Sequence, residues 1–116
     1  METNKILYDI NEDIQSLRTE VFVEEQQVPV ELEIEPDEDK YVHCCIYKDK
    51  ILIAYARVKL SHPAILGRVC VKKNYRGLGF GKKVMELAEE QIKGINEIHL
   101  HAQLHAKKFY EVLGYT

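Results

Sequence analysis

The chain has no tryptophan, three prolines, six glycines and three cysteines among its 116 residues, and no run of 18 consecutive apolar residues. Each shortage excludes something. So few prolines and glycines rule out collagen-like repeats and Pro/Gly-rich low complexity, while a hydrophobic share of 46% is too high for intrinsic disorder. Cysteines in odd number, with Cys44 next to Cys45, do not make a disulfide scaffold, because neighbours on a strand point to opposite faces. No Cys-x-x-Cys pair suits zinc, so the thiols read as free and reduced and no metal is expected. Lacking a long apolar run, the sequence gives no reason to expect a transmembrane helix. Met1-Glu2-Thr3-Asn4-Lys5 is not the basic start of a signal peptide, so a cytoplasmic location is expected. Residues 1–116 read as a single domain, one of a size to bury roughly two-thirds of its unfolded surface in one core.

An excess of positive charge is also missing. Sixteen Lys and Arg against 19 Asp and Glu give −3, and no basic stripe is interleaved with aromatics, so neither nucleic acid nor a membrane surface is an expected partner. The charge is unevenly spread. Thirteen acids precede Tyr41 against Lys5, Arg18 and Lys40, a balance of −10, and the rest of the chain sums to +7. Two differently charged solvated faces would explain this, as would a basic part meeting an anionic ligand and an acidic part facing a cationic substrate.

Lys5 to Tyr8 alternates weakly, as a short first strand would. Asp9-x-x-Glu12 as a capping box, or Asn11 alone, can start a helix whose face is Ile10, Ile14, Leu17 and Val21. That helix is expected to end near Val23 or Glu24, before Val28-Pro29. The acidic stretch Glu31 to Lys40 reads as a loop. Tyr41 to Tyr47 and Ile51 to Leu60 read as a hairpin about Lys48-Asp49-Lys50, and a third strand is expected from Ile65 to Val71, with Gly67 as a bulge or sheet-entry position. A helix through Val84, Leu87, Ala88 and Ile92, closed by Gly94, precedes a strand from Ile95 to Gln103 and a last helix from Ala106 to Leu113.

Between the third strand and its helix lies Arg76-Gly77-Leu78-Gly79-Phe80-Gly81-Lys82-Lys83. Glycines there expose backbone N–H groups at the positive end of a helix dipole, which suits phosphate. The spacing is not that of a Walker loop, because Lys83 follows Gly81-Lys82, nor that of a Rossmann loop, which needs G-x-G-x-x-G. It fits R-x-x-G-x-G and resembles the acyl-CoA pyrophosphate loop of the GNAT superfamily of N-acetyltransferases. Val21-Phe22-Val23-Glu24-Glu25-Gln26-Gln27-Val28-Pro29, His43, Arg68-Val69-Cys70-Val71, Ala102-Gln103 and Phe109-Tyr110-Glu111-Val112-Leu113-Gly114-Tyr115 look like its ElaA-like branch, in family order over nearly the whole chain.

The resemblance implies an α/β (α+β) fold, a twisted mixed and mainly antiparallel sheet flanked by helices. The implied activity is transfer of an acetyl group from acetyl-CoA to an amine by direct attack in a ternary complex. The alternative is a weak or inactive GNAT fold that binds CoA or a protein partner. By the same resemblance Val69, Cys70 and Val71 offer backbone to the pantetheine arm. Arg76 and the N–H groups of Gly77, Leu78, Gly79, Phe80 and Gly81 hold the pyrophosphate, with Lys72, Lys73, Lys82 and Lys83 adding positive potential. Tyr110 would protonate the departing thiolate, and Glu25, or else His43, would serve as base. A rival constellation, His99, His101 and His105, has the spacing of a metal site on a strand and its turn. The acceptor would be a small-molecule or peptide amine. Family members usually continue past Leu113-Gly114-Tyr115, whereas this sequence stops at Thr116. The resemblance thus implies a C-terminally shortened sheet whose open edge invites a homodimer or leaves the acceptor pocket weakened.

Overall fold

The computed structural model describes residues 2–29, 33, 36–61, 64–92 and 98–101, the last four by backbone. In chain order it contains β1 (Glu2–Leu7), α1 (Glu12–Arg18), which runs into a π-helical segment (Thr19–Glu25), β2 (Tyr41–Lys48), β3 (Ile51–Lys59), β4 (Ala64–Val71), α2 (Phe80–Gln91) and β5 (Ile98–His101). The strands form one five-stranded sheet in the order β1-β2-β3-β4-β5. The first four are antiparallel neighbours, and β5 runs parallel to β4 with Leu66 opposite Leu100. Parallel neighbours need a crossover, and α2 supplies it. Among the described residues β5 is the edge opposite β1. No helix among them is long and apolar enough to cross a membrane.

The sheet is covered on both faces, which is why β2 and β3 are apolar almost without alternation. Cys44, Ile46, Ile53, Val58 and Leu66 pack with Phe80, Val84, Met85 and Ala88 of α2. On the other face Cys45, Tyr47, Tyr55 and Cys70 meet Ile14, Leu17, Val21 and Phe22. Cys44 and Cys45 do fall on opposite faces, and all three cysteines are free and buried. Burial pushes the thiols of Cys44 and Cys45 up to about 12, leaving them neutral and unreactive.

Asn11 alone caps α1, its side chain accepting from the Ile14 N–H at 2.9 Å, while Asp9 accepts from the adjacent Ile10 N–H instead of forming a capping box. The helix reaches Glu25 rather than Val23 or Glu24, and its second half is π-helical. The hairpin turn is two residues, Asp49 and Lys50, with φ of +49° and +70°. Positive φ at both positions marks a type I′ turn, which favours Asn-Gly and explains the weak signal of Asp-Lys. Lys50→Gly is therefore expected to stabilise the protein by about 1 kcal/mol, relieving part of the left-handed penalty of an L residue. A urea midpoint equal to or below that of the parent would contradict this.

Candidate active site

Val71 ends β4, a short 3₁₀ turn covers Lys73–Tyr75, and Arg76 follows in extended geometry before α2 begins at Phe80. Gly77 and Gly79 have φ of +78° and +88°, a region that L side chains rarely enter. A Cβ on either would meet no atom within 4 Å, so backbone conformation and not crowding demands glycine, and the space beside the loop is open. Gly79 is the N-cap of α2 and contributes no side-chain cap to its first N–H groups. Phe80 anchors the turn in the core and meets Tyr75 edge-on at 6.2 Å, whereas Leu78 at the tip is 63% exposed.

Arg76 is fixed from both ends. Its Nε donates to the Val71 carbonyl at 2.9 Å, and Nη1 and Nη2 donate to Glu25 Oε2 and Oε1 at 2.9 and 2.7 Å. This bidentate pair joins two residues whose expected tasks differ, pyrophosphate binding for Arg76 and proton removal for Glu25. Arg76 holds the Glu25 carboxyl below the usual carboxylate range, chiefly by hydrogen bonding. The π-helical turn brings Glu25 to this place: Gln26 N–H donates to Val21 C=O at 3.1 Å, five residues back. The wide turn narrows the angle between residues five apart compared with an α-helix, and Glu20 and Glu25 both line one cavity. Opposite them stand Lys72, Lys73 and Asn74 across a cavity of about 250 Å³, also lined by Glu24. Lys72 is paired with Glu20 at 2.8 Å. Lys83 lies farther off, with Glu2 at 3.0 Å.

On β4, Tyr55 pairs with Cys70 and Arg57 with Gly67, so Ala56 alone faces Arg68 and Val69. The bulge falls one residue after the expected Gly67, and the left-handed backbone is that of Arg68, φ +52°. A bulge interrupts the ladder, so it can turn backbone groups away from the neighbouring strand. Contacts of the Arg68 side chain compensate the strain, with the Phe22 ring at 5.7 Å and Glu33 at 3.7 Å. Val69, Cys70 and Val71 are buried, and burial pushes the Cys70 thiol far above its ordinary range. Only backbone chemistry is open to Cys70.

A bulged strand, a left-handed glycine turn and a helix N-terminus thus lie in sequence beside an arginine already holding an oxyanion. The sequence profile described as Acetyltransferase (GNAT) domain matches residues 10–116. The chain belongs to the GNAT acetyltransferase family. A Bacillus subtilis (strain 168) protein carrying an acetyltransferase name is 36% identical over 105 residues, which span 85% of this chain and 71% of that one. Among solved structures, Escherichia coli ElaA superposes with a TM-score of 0.83 at 29% identity, covering 98% of this chain and 86% of ElaA. An acyl-CoA N-acyltransferase from Pseudomonas aeruginosa gives 0.80 at 26% identity, over 98% and 88%.

The GNAT domain also contains a buried polar network that the sequence reading missed. Arg18 is 0% exposed. Its Nε donates to Glu33 Oε1 at 2.6 Å, Nη1 and Nη2 donate to the two Glu38 oxygens at 2.9 Å each, and Nη2 also donates to the Glu33 carbonyl at 2.6 Å. Arg57 donates to Glu38 at 2.8 Å. His43 sits beside this network with both ring nitrogens engaged. Nε2 lies 2.8 Å from the Glu38 carbonyl, which can only accept, so Nε2 carries the proton and Nδ1 accepts from the Tyr55 hydroxyl at 2.5 Å. His43 is accordingly a packed strand histidine without a free nitrogen, which leaves Glu25 as the candidate base. Of the other expected site residues, Tyr110 and His105 lie outside the described residues, and His99 and His101 are placed on β5 by backbone.

Burial, the largest cause, lowers the His43 pKa from 6.5. A lowered histidine pKa means that the unfolded chain takes up the proton first. The contribution to stability is complete above about pH 6.5 and is lost as pH falls below it, at up to about 1.4 kcal/mol per pH unit. Urea titrations at several pH values should show this slope in the parent. In His43→Gln stability should be lower throughout and the difference between the two proteins should narrow towards pH 5. A difference that stays constant would contradict the assignment.

Proposed function

We propose that this GNAT protein transfers an acetyl group from acetyl-CoA to an amine acceptor by direct attack in a ternary complex. The reading rests above all on the loop Arg76-Gly77-Leu78-Gly79-Phe80-Gly81: two glycines with left-handed backbone open α2, and the neighbouring guanidinium fork is satisfied by a carboxylate, an oxyanion. A fork of that kind suits phosphate as well as carboxylate. In this reading Arg76 and the N–H groups of Gly77 to Gly81 hold the pyrophosphate, and Lys72, Lys73, Lys82 and Lys83 favour its approach. The backbone of Val69, Cys70 and Val71 lines the pantetheine arm and polarises the thioester carbonyl.

Acetyl-CoA supplies an activated thioester: the amine nitrogen bonds to the carbonyl carbon, the C–S bond breaks, and CoA leaves as its thiolate. Glu25 takes the proton that the amine must lose, and Tyr110 gives one to the thiolate, a modest demand for a thiol of pKa about 8.5. The three carboxylates on the cavity wall suit a small-molecule or peptide amine as acceptor. With its free cysteines, the protein fits a reducing cytoplasmic setting.

The test is a panel of amines with acetyl-CoA and detection of released thiol. Amine-dependent release is expected, with Arg76→Ala raising KM for acetyl-CoA at least tenfold, as loss of a charge-assisted bidentate contact implies. Tyr110→Phe should lower kcat with little change in that KM. CoA binding without transfer to any amine would leave the non-catalytic alternative, and absence of both binding and transfer would end the proposal.

A further inference from the structure

The proposed function gives Arg76 to phosphate and Glu25 to a proton, yet the two side chains occupy one another. Arg76 presents both terminal nitrogens to both Glu25 oxygens at 2.9 and 2.7 Å, while its Nε stays on the Val71 carbonyl. An oxyanion can therefore take the fork without disturbing the Nε anchor. It cannot do so without displacing Glu25.

We propose that Glu25 is an internal substitute for the donor's phosphate: it fills the Arg76 fork until the acyl donor arrives, and its displacement makes the carboxylate available to the acceptor. This rests on the reading of the preceding subsection and adds an order of events. Before displacement, Glu25 accepts two charge-assisted hydrogen bonds and is a poor proton acceptor. Afterwards it faces the cavity, where the neighbouring charges are Lys73, the Glu20–Lys72 pair and Glu24. Having lost Arg76, it can accept one proton from an acceptor ammonium, leaving a neutral amine nitrogen with its lone pair. Donor binding and acceptor activation are thereby coupled through a single ion pair, and a base poised beside an empty donor site is held inactive.

The coupling must work in both directions: whatever releases Arg76 favours the donor, and the donor releases Glu25. The measurement is the Kd of coenzyme A by ligand-observed NMR, which keeps millimolar binding within range, for the parent, Glu25→Gln, Arg76→Gln and the double variant. Both side chains are partly exposed and outside the core, so the variants should keep the fold. Glu25→Gln is expected to tighten coenzyme A binding about two- to fivefold, as befits an ion pair at this exposure. In the Arg76→Gln background the same substitution should change Kd by no more than experimental error. Equal tightening in both backgrounds would mean simple repulsion between Glu25 and the phosphates and would overturn the proposal. No tightening in either would do the same.

A second readout follows the Glu25 side-chain carbonyl carbon in a pH titration. Saturation with coenzyme A should move its midpoint upward, and an unchanged midpoint would contradict displacement. Failure of the parent to bind coenzyme A at all would instead remove the proposed function, and this inference with it.

Discussion

Arg18→Met is expected to lower the stability of the domain by about 3–5 kcal/mol, the range found when one partner of a buried ion pair is removed. The substitution deprives Glu33 and Glu38 of four hydrogen bonds at once: two carboxylates and the Glu33 carbonyl all face the same guanidinium. Arg57 still reaches Glu38 at 2.8 Å, but the short bond to Glu33 Oε1 has no replacement of comparable length, since Arg68 stands 3.7 Å from that atom. Against a total stability of about 5–15 kcal/mol for a domain of this kind, such a loss removes a large part of the margin. Arg18→Lys keeps the charge without the planar fork and should lie between the two. Chemical denaturation of the three proteins checks the ranking, and a methionine variant within 1 kcal/mol of the parent would show that the network contributes little.

At Gly79 two substitutions should separate folding from binding. The backbone there has φ +88°, which asparagine tolerates and a β-branched residue does not. Gly79→Val should cost at least about 2 kcal/mol, through the left-handed penalty and its aggravation by branching. Gly79→Asn should stay within about 1 kcal/mol of the parent. Both place a side chain in the open space beside the first turn of α2, where the proposed pyrophosphate would lie, so both should weaken coenzyme A binding tenfold or more. A Gly79→Asn protein that melts like the parent and binds coenzyme A equally well would move the phosphate site away from this loop.

Much of the fold was legible because its signals are local. Ile14, Leu17 and Val21 recur at helical spacing and all three are buried against one face of the sheet, as that spacing demands. Adjacent Cys44 and Cys45 had to part to opposite faces of any strand. The glycines between strand and helix mark an open turn with free backbone N–H groups, and Gly77 and Gly79 adopt left-handed backbone there. What escaped was long-range. Arg18 follows Leu17 on the buried side of its helix, but a charged residue there looks like the solvated margin of an apolar stripe until its partners are known. Glu33 and Glu38 lie 15 and 20 residues later, in a segment whose acidity read only as a loop. The pairing of Glu25 with Arg76 spans 51 residues and leaves no trace in either motif. Arg68 shows the same limit for the backbone: glycine type points to Gly67 for the irregularity in this strand, whereas the bulge and the left-handed backbone fall on Arg68, whose side chain meets Phe22 and Glu33.

The π-helical segment Thr19–Glu25 has a consequence for how the chain could change in length. Wide turns store more residues per unit rise than an α-helix does, so a one-residue deletion inside this segment could be absorbed by tightening to α geometry, with Ile14, Leu17 and Arg18 upstream left in place. The same deletion would swing the following carboxylates around the helix axis and carry Glu25 off Arg76. Length in this segment is therefore an angular setting: with the deletion placed after Phe22 the core residues Val21 and Phe22 keep their places, whereas the meeting of Glu25 with the glycine loop depends on the wide turn.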